Sequence, residues 1–135
     1  MVFLLLHINT SERFSEILEL LLKIEPIDYA TPNHFLQDFL VGDLYAVVDS
    51  EDSNIKAIGT LFYDDTFQLS YIKRVVSFHR GSGYAKEIIR ELASLRERVA
   101  ITPFIDNHQM IKIVESLGFE FKYTFLDNYA FYIKE

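Results

Sequence analysis

Residues 80–85 read Arg80-Gly81-Ser82-Gly83-Tyr84-Ala85, and the hydrophobic pattern changes on either side of them. Upstream, residues 66–76 read as a strand. Downstream, Ala85, Ile88, Ile89, Leu92 and Leu95 recur at helical spacing, which predicts a helix over residues 83–98. Residues 99–104 then read as another strand. A strand, a glycine-bearing turn, a helix and a second strand make a unit whose two strands run parallel with a right-handed crossover. Any fold for this chain must contain that unit.

The rest of the chain supplies more strands than helices. Residues 3–8 form an apolar strand. Thr10 or Ser11 caps a helix with apolar positions Phe14, Ile17, Leu18, Leu21 and Leu22, and Pro26 ends it. Thr31-Pro32 opens a second helix with Pro32 in its first turn, a buried stripe of Phe35, Leu36, Phe39 and Leu40, and Gly42 at its close. Residues 43–49, 55–63 and 66–76 are strands joined by the polar stretch 49–54 and by a tight turn at Asp64-Asp65. Connections this short predict an antiparallel meander. Asn107 to Leu117 is a helix with Ile111, Val114 and Leu117 inward and Gly118 in the stop position. Residues 119–126 and 129–134 form a hairpin about Asp127-Asn128. The order βααβββαβαββ predicts an α+β fold, with a mixed, mostly antiparallel sheet of about seven strands and helices on both faces. Residues 1–135 are expected to form a single domain.

Composition narrows the function. The formal net charge of −7, with no basic cluster, argues against nucleic-acid binding and mildly favours a cationic substrate. No cysteine is present, which removes disulfides, thiolate metal sites and a cysteine nucleophile, and fits a cytoplasmic setting. His7, His34, His79 and His108 show no ligand spacing, so no metal is expected. The apolar start, Val2 to Leu6, is too short to span a membrane and lacks a charged front.

The loop itself is suited to an anion. A helix N-terminus leaves about four N–H groups unpaired and carries a partial positive charge. Gly81 and Gly83 let main-chain N–H groups approach a ligand, and Arg80 adds planar donors that match phosphate oxygens. Together they suit a pyrophosphate. Lys86 stands where a dinucleotide-binding loop has its third glycine, and no Lys-Ser/Thr pair follows Gly83 as a P-loop requires.

In these residues the sequence resembles the GNAT family of N-acetyltransferases, which carries Arg/Gln-x-x-Gly-x-Gly/Ala between its fourth strand and third helix. Asn107, opening the last helix, and Leu117-Gly118-Phe119, closing it, match a second segment of the family at the usual spacing. The resemblance is specific over about the last 80 residues and holds in outline before them. It implies a central parallel pair of strands that splay apart, with the pantetheine arm of acetyl-CoA in the gap. Backbone groups around Val75, Val76 and Ser77 would pair with that arm. Arg80, Gly81, Ser82, Gly83, Tyr84 and Ala85 would hold the pyrophosphate, and Asn107 would meet the arm or the thioester region while also capping its helix. The activity implied is transfer of an acetyl group from acetyl-CoA to a primary amine, small or on a protein, by direct attack in a ternary complex. The missing cysteine fits direct attack.

The chain also departs from the family. Many members carry a tyrosine seven residues after the Asn, as acid for the leaving thiolate, and this chain has Val114 there. Tyr123, Tyr129 and Tyr132 are substitutes by position. Tyr71, Lys73, Glu25, Asp28 and Tyr29 are candidates to receive the amine's proton. Val114 supports a second reading, a non-catalytic coenzyme A-binding module with a regulatory or interaction role. The apolar last strand, Tyr129 to Ile133, is a candidate for pairing across a homodimer.

Overall fold

A computed structural model describes residues 2–135. Its elements are β1 (Phe3–His7), α1 (Ser11–Leu21), α2 (Pro32–Val41), β2 (Leu44–Asp49), β3 (Ile55–Asp64), β4 (Leu69–Ser77), α3 (Tyr84–Ala93), β5 (Val99–Ile101), α4 (His108–Ser116), β6 (Glu120–Phe125) and β7 (Tyr129–Lys134). The order of elements is the one the hydrophobic periods predict. Three boundaries differ by three residues or more. β5 ends at Ile101 rather than residue 104, because Pro103 cannot donate to a ladder. β4 begins at Leu69, because Asp64 Oδ1 accepts the N–H groups of Thr66 and Phe67 and turns those residues out of the strand. α3 stops at Ala93 rather than residue 98. There the Ser94 hydroxyl donates to the Glu91 carbonyl, and Leu95 is left exposed.

The seven strands form one sheet in the order β1-β2-β3-β4-β5-β7-β6. β4 and β5 are parallel and every other neighbouring pair is antiparallel. α3 and α4 cover one face, packing Ile88, Ile89, Leu92 and Val114 onto Val47, Ala57, Leu61 and Ile72. α1 and α2 cover the other face through Phe14, Ile17 and Phe35 over Ala46, Ile58 and Val76. The expected α2 stripe is narrower than its spacing suggested: Leu36 and Leu40 are exposed, and Asp38 is buried beside Phe35.

The pairing expected of the last strand is corrected. β7 lies between β5 and β6 with both edges hydrogen-bonded, so Tyr129 to Ile133 offer no free edge to a second copy. The hairpin folds its apolar strand inward and leaves β6, with Glu120 and Lys122, outermost, which is how sheets blunt their edges.

β4 is irregular at one place. Gly59 faces Val75 and Leu61 faces Ile72, so Lys73 and Arg74 together stand opposite Thr60. This β-bulge is closed by the fully buried Thr60 hydroxyl, which accepts the Arg74 N–H at 3.0 Å. The extra residue flips the strand's faces. Ile72 and Val75 both pack toward α3, and Val76 packs under α1 and α2.

α3 sits close to the sheet because Gly59 lies beneath it. A Cβ on that residue would come within 2.9 Å of Leu92 Cδ1 and 3.2 Å of Ile88 Cγ1. Gly59→Val should therefore cost about 1–3 kcal/mol by overpacking. A fall in the urea midpoint at unchanged slope would register it, and an unchanged midpoint would show that α3 is free to move.

Candidate functional site

β4 and β5 are partners only over Ser70–Ile72 and Val99–Ile101. Beyond that β4 runs on to Ser77 with β3 as its sole strand partner, and β5 turns away. Pro103 cannot donate to a ladder. Its carbonyl instead accepts from the Ala130 N–H at 2.9 Å, and the Ile105 N–H donates to the Asn128 carbonyl at 2.8 Å. The chain after β5 is thus tied to the β6–β7 hairpin and drawn off β4. The gap is a cavity of about 550 Å³. Tyr71 to Val75 of β4 form one wall; Ile101 to Phe104, with Asn107 and Met110 at the start of α4, form the other. Tyr29 from the α1–α2 loop, Phe62 and Tyr129 complete it.

At the far end of β4 the chain turns sharply. The Ser77 hydroxyl donates to the His79 carbonyl, and Gly81 and Gly83 have φ of 75° and 78°, the left-handed region that favours glycine. Within 4 Å of where a Cβ would stand, neither glycine has a neighbour, so the loop is open. Thr10, Thr31 and Asn107 cap α1, α2 and α4 with side-chain oxygens, whereas Gly83 caps α3 with none. The first-turn N–H groups of α3 therefore lack a side-chain acceptor. Arg80 is exposed and, among the described residues, has no hydrogen-bond or ion-pair partner. Tyr84 turns inward, edge-on to Phe3 at 5.5 Å and His79 at 5.9 Å, and anchors the loop. A second cavity of about 500 Å³ joins Arg80, Ser77, Val76 and Val75 to Ile24–Ile27 of the α1–α2 loop.

The structure brings several of the sequence candidates together. Val75 touches both cavities, and Val76 is 3% exposed, so it can offer a ligand only its main chain. Ser82 is exposed and Ala85 half-buried at the loop's two ends. Asn107 lines the cleft while its Oδ1 accepts the Met110 N–H at 3.2 Å. Tyr71 and Tyr129 also line it, and burial, with Asp64 and Tyr123 behind it, pushes the Tyr71 hydroxyl up from its ordinary value. Tyr123 is outside, stacked on Phe131 at 5.0 Å on the open surface of β6. Tyr132 is buried, donates to Glu115 and does not reach the cleft. Glu25 is in the second cavity. Val114 is fully buried in the α3–α4 core, and Met110, one turn earlier, is the α4 side chain at the cleft.

Sequence reading missed a charged group at the bulge. Asp38, only 3% exposed, accepts from Arg74 Nη1 at 2.6 Å and from Lys73 Nζ at 3.4 Å. Arg74 Nε donates to the Tyr29 carbonyl at 3.1 Å and so holds the α1–α2 loop against the cleft. The available signal was an acid at helical spacing from Phe35, on the buried side of α2. Among the described residues, no group of His, Cys, Asp and Glu is arranged to hold a metal ion, and no helix is long and apolar enough to cross a membrane.

Removing Asp38 leaves two cations without their buried acceptor. Asp38→Ala should cost about 3–5 kcal/mol, the range for breaking a buried pair, while Glu16→Ala in the exposed pair with Arg13 should cost no more than about 1 kcal/mol. Equal losses in denaturant titrations would put Asp38 among ordinary surface acids.

No known family model matches the chain, and no curated protein matches it significantly. Solved structures do. A GNAT-family acetyltransferase from Bacillus cereus ATCC 10987 superimposes with a TM-score of 0.80 at 14% identity, over 100% of this chain and 98% of that one. YncA, a putative acetyltransferase from Salmonella typhimurium solved with acetyl-CoA, gives 0.68 at 12% identity, over 100% and 94%. Arabidopsis thaliana NAA60, solved with a bisubstrate analogue, gives 0.67 at 17% identity, over 98% and 97%. The seven-stranded mixed sheet, its parting β4–β5 pair and these superpositions give one conclusion: the chain has the fold of the GNAT acetyltransferases.

Proposed function

We propose that residues 1–135 form a single acyl-CoA-binding domain that transfers an acetyl group from acetyl-CoA to a primary amine by direct attack in a ternary complex. The observation that carries this reading is the parting of β4 from β5 after Ile72 and Ile101, with the uncapped start of α3 and an unpaired Arg80 at the outer end of β4. The donor set fits the cofactor along its length. Main-chain groups of Val75 to Ser77, with no strand beside them on the cleft edge, suit the amides of the pantetheine arm. The first turn of α3, Gly81 to Ala85, and Arg80 suit the pyrophosphate. The Asn107 Oδ1 is used by the Met110 N–H, and its amide N–H groups have no acceptor among the described residues, which leaves them for the arm near the thioester. That cofactor supplies an acyl group already activated as a thioester.

The amine enters from the side of Tyr29 and Phe62. Its nitrogen must shed a proton to attack. With no carboxylate or histidine among the described lining residues, that proton passes to solvent at the open mouth. The new N–C bond forms as the C–S bond breaks, and the sulfur leaves with the electron pair. Thiol acidity makes this departure tolerable without an acid, near pKa 8.5, and faster with one. Tyr129 and Tyr71 are hydroxyl candidates at the cleft to protonate the sulfur. A phenol is protonated across the neutral range unaided, and burial raises Tyr71 further. That suits Tyr71 to donate, and not to receive the amine's proton as first expected. If either is the donor, its Phe variant should turn over roughly 10²-fold slower near neutral pH, with cofactor affinity retained. Steady-state rates would show it, and full rates in both variants would leave the proton to solvent.

Met110 and the buried Val114 leave α4 without a hydroxyl at the cleft, which supports the second reading, a module that binds coenzyme A without turnover. Thiol release across an amine panel separates the two.

Binding tests the common part. Acetyl-CoA at a hundredfold over its dissociation constant should stabilise the fold by about 2.7 kcal/mol. Gly83→Val should abolish that shift, because a branched side chain is strained at this φ and fills the approach to the N–H groups. Arg80→Ala should weaken coenzyme A binding by about 1–3 kcal/mol and a fragment lacking the pyrophosphate much less. An unchanged melting temperature with saturating acetyl-CoA would end this reading.

A further inference from the structure

The cleft is charged in an unexpected sense. The chain carries a net charge of −7, yet among the described residues Lys73 and Arg74 are the only charged side chains that line the cavity, and no carboxylate does. In a regular strand these two neighbours would point to opposite faces. The bulge opposite Thr60 sends both to the same side, where they meet one acid, the buried Asp38. Asp43 lies within the field of Lys73 but forms no ion pair and lines no part of the cavity.

Two cations thus share one carboxylate. Arg74 spends Nη1 on Asp38 and Nε on the Tyr29 carbonyl, and its Nη2 has no acceptor among the described residues. Lys73 has one N–H engaged and lies 5.4 Å above the Phe62 ring, with its side chain 36% exposed. The rest of this mouth is aromatic: Tyr29 is edge-on to Phe104 at 5.7 Å, and Phe104 stacks on Tyr129 at 4.7 Å. A polycationic acceptor would find repulsion here and no anion to hold it. An acceptor with an anionic group near its amine and an apolar body would find both complements.

We propose that the acceptor is a carboxylate-bearing amine with a large apolar or aromatic body, its carboxylate held by Lys73 Nζ and Arg74 Nη2. This rests on the acetyltransferase reading and deepens it, and it reverses the mild preference for a cationic substrate that the overall charge suggested. The same positive wall disfavours the ammonium form of the amine. It therefore helps to present a neutral nucleophile at a site whose lining holds no acidic side chain to accept the proton.

Two measurements test this on the whole protein. The first is acetyl transfer from acetyl-CoA to phenylalanine, phenylalaninamide and spermidine. The free acid should exceed the amide in kcat/KM by about 10–100-fold, the span of one charge-assisted contact, with spermidine slowest. Lys73→Met should cut the difference by about fivefold or more through KM, Arg74 holding the remainder, and Lys73→Arg should restore it. Comparable rates for acid and amide, or faster transfer to spermidine, would overturn the assignment. The second needs no turnover. N-acetylphenylalanine should bind at least about tenfold tighter than N-acetylphenylalaninamide, with and without coenzyme A, and Lys73→Met should narrow that gap severalfold. Tight carboxylate binding without transfer to any amine would retire the enzyme reading and keep the site. Equal affinities, or no binding of either compound, would retire the site whatever the transfer assay shows.

Discussion

Lys73 and Arg74 share the place opposite Thr60, and the geometry of the site follows from that extra residue in β4. A strand without it would carry one face onto α3 along its whole length. With it, Ile72 and Val75 pack toward α3, Val76 is handed to α1 and α2, and two cations stand side by side at the cleft. The fully buried Thr60 hydroxyl makes the arrangement affordable by satisfying the Arg74 N–H that the ladder abandons. Asp38 then binds the bulge to α2, and Arg74 binds it to the α1–α2 loop.

A second constraint acts on the other strand. Pro103 ends the β5 ladder, and the hydrogen bonds that follow it go to the β6–β7 hairpin. Each side of the cleft is therefore pinned by the half of the sheet to which it belongs. The opening between them is a built feature with walls held by hydrogen bonds, and the loop at its end leaves a helix N-terminus uncapped where the other three helices are capped. Polar groups left open in this way, at the end of a fixed cleft, are suited to a ligand that brings its own acceptors.

Much of this was legible in the residues. Changes of hydrophobic period located every element, Gly81 and Gly83 marked the open loop, and the short connections foretold the meander and the last hairpin. The remainder depends on pairings that local pattern does not carry. Lys73-Arg74 looks like any polar step in a strand, and only the register against β3 makes it a bulge. Leu36 and Leu40 keep helical spacing, yet α2 is rotated to bury Asp38, because an acid with two cationic partners is stable inside. The apolar strand β7 suggested an exposed edge, but the hairpin places β6 outside it. Val114 was legible both as a departure from the family's pattern and as an inward position of α4, and it is fully buried.

Hydrogen exchange with and without coenzyme A tests the cleft most directly. Binding along the parted edge of β4 and at the start of α3 predicts slower exchange of the amides of Val75 to Ser77 and of Gly81 to Lys86, with β1, β6 and the α1 face unaffected. Protection confined to other segments, or none at saturating coenzyme A, would contradict it.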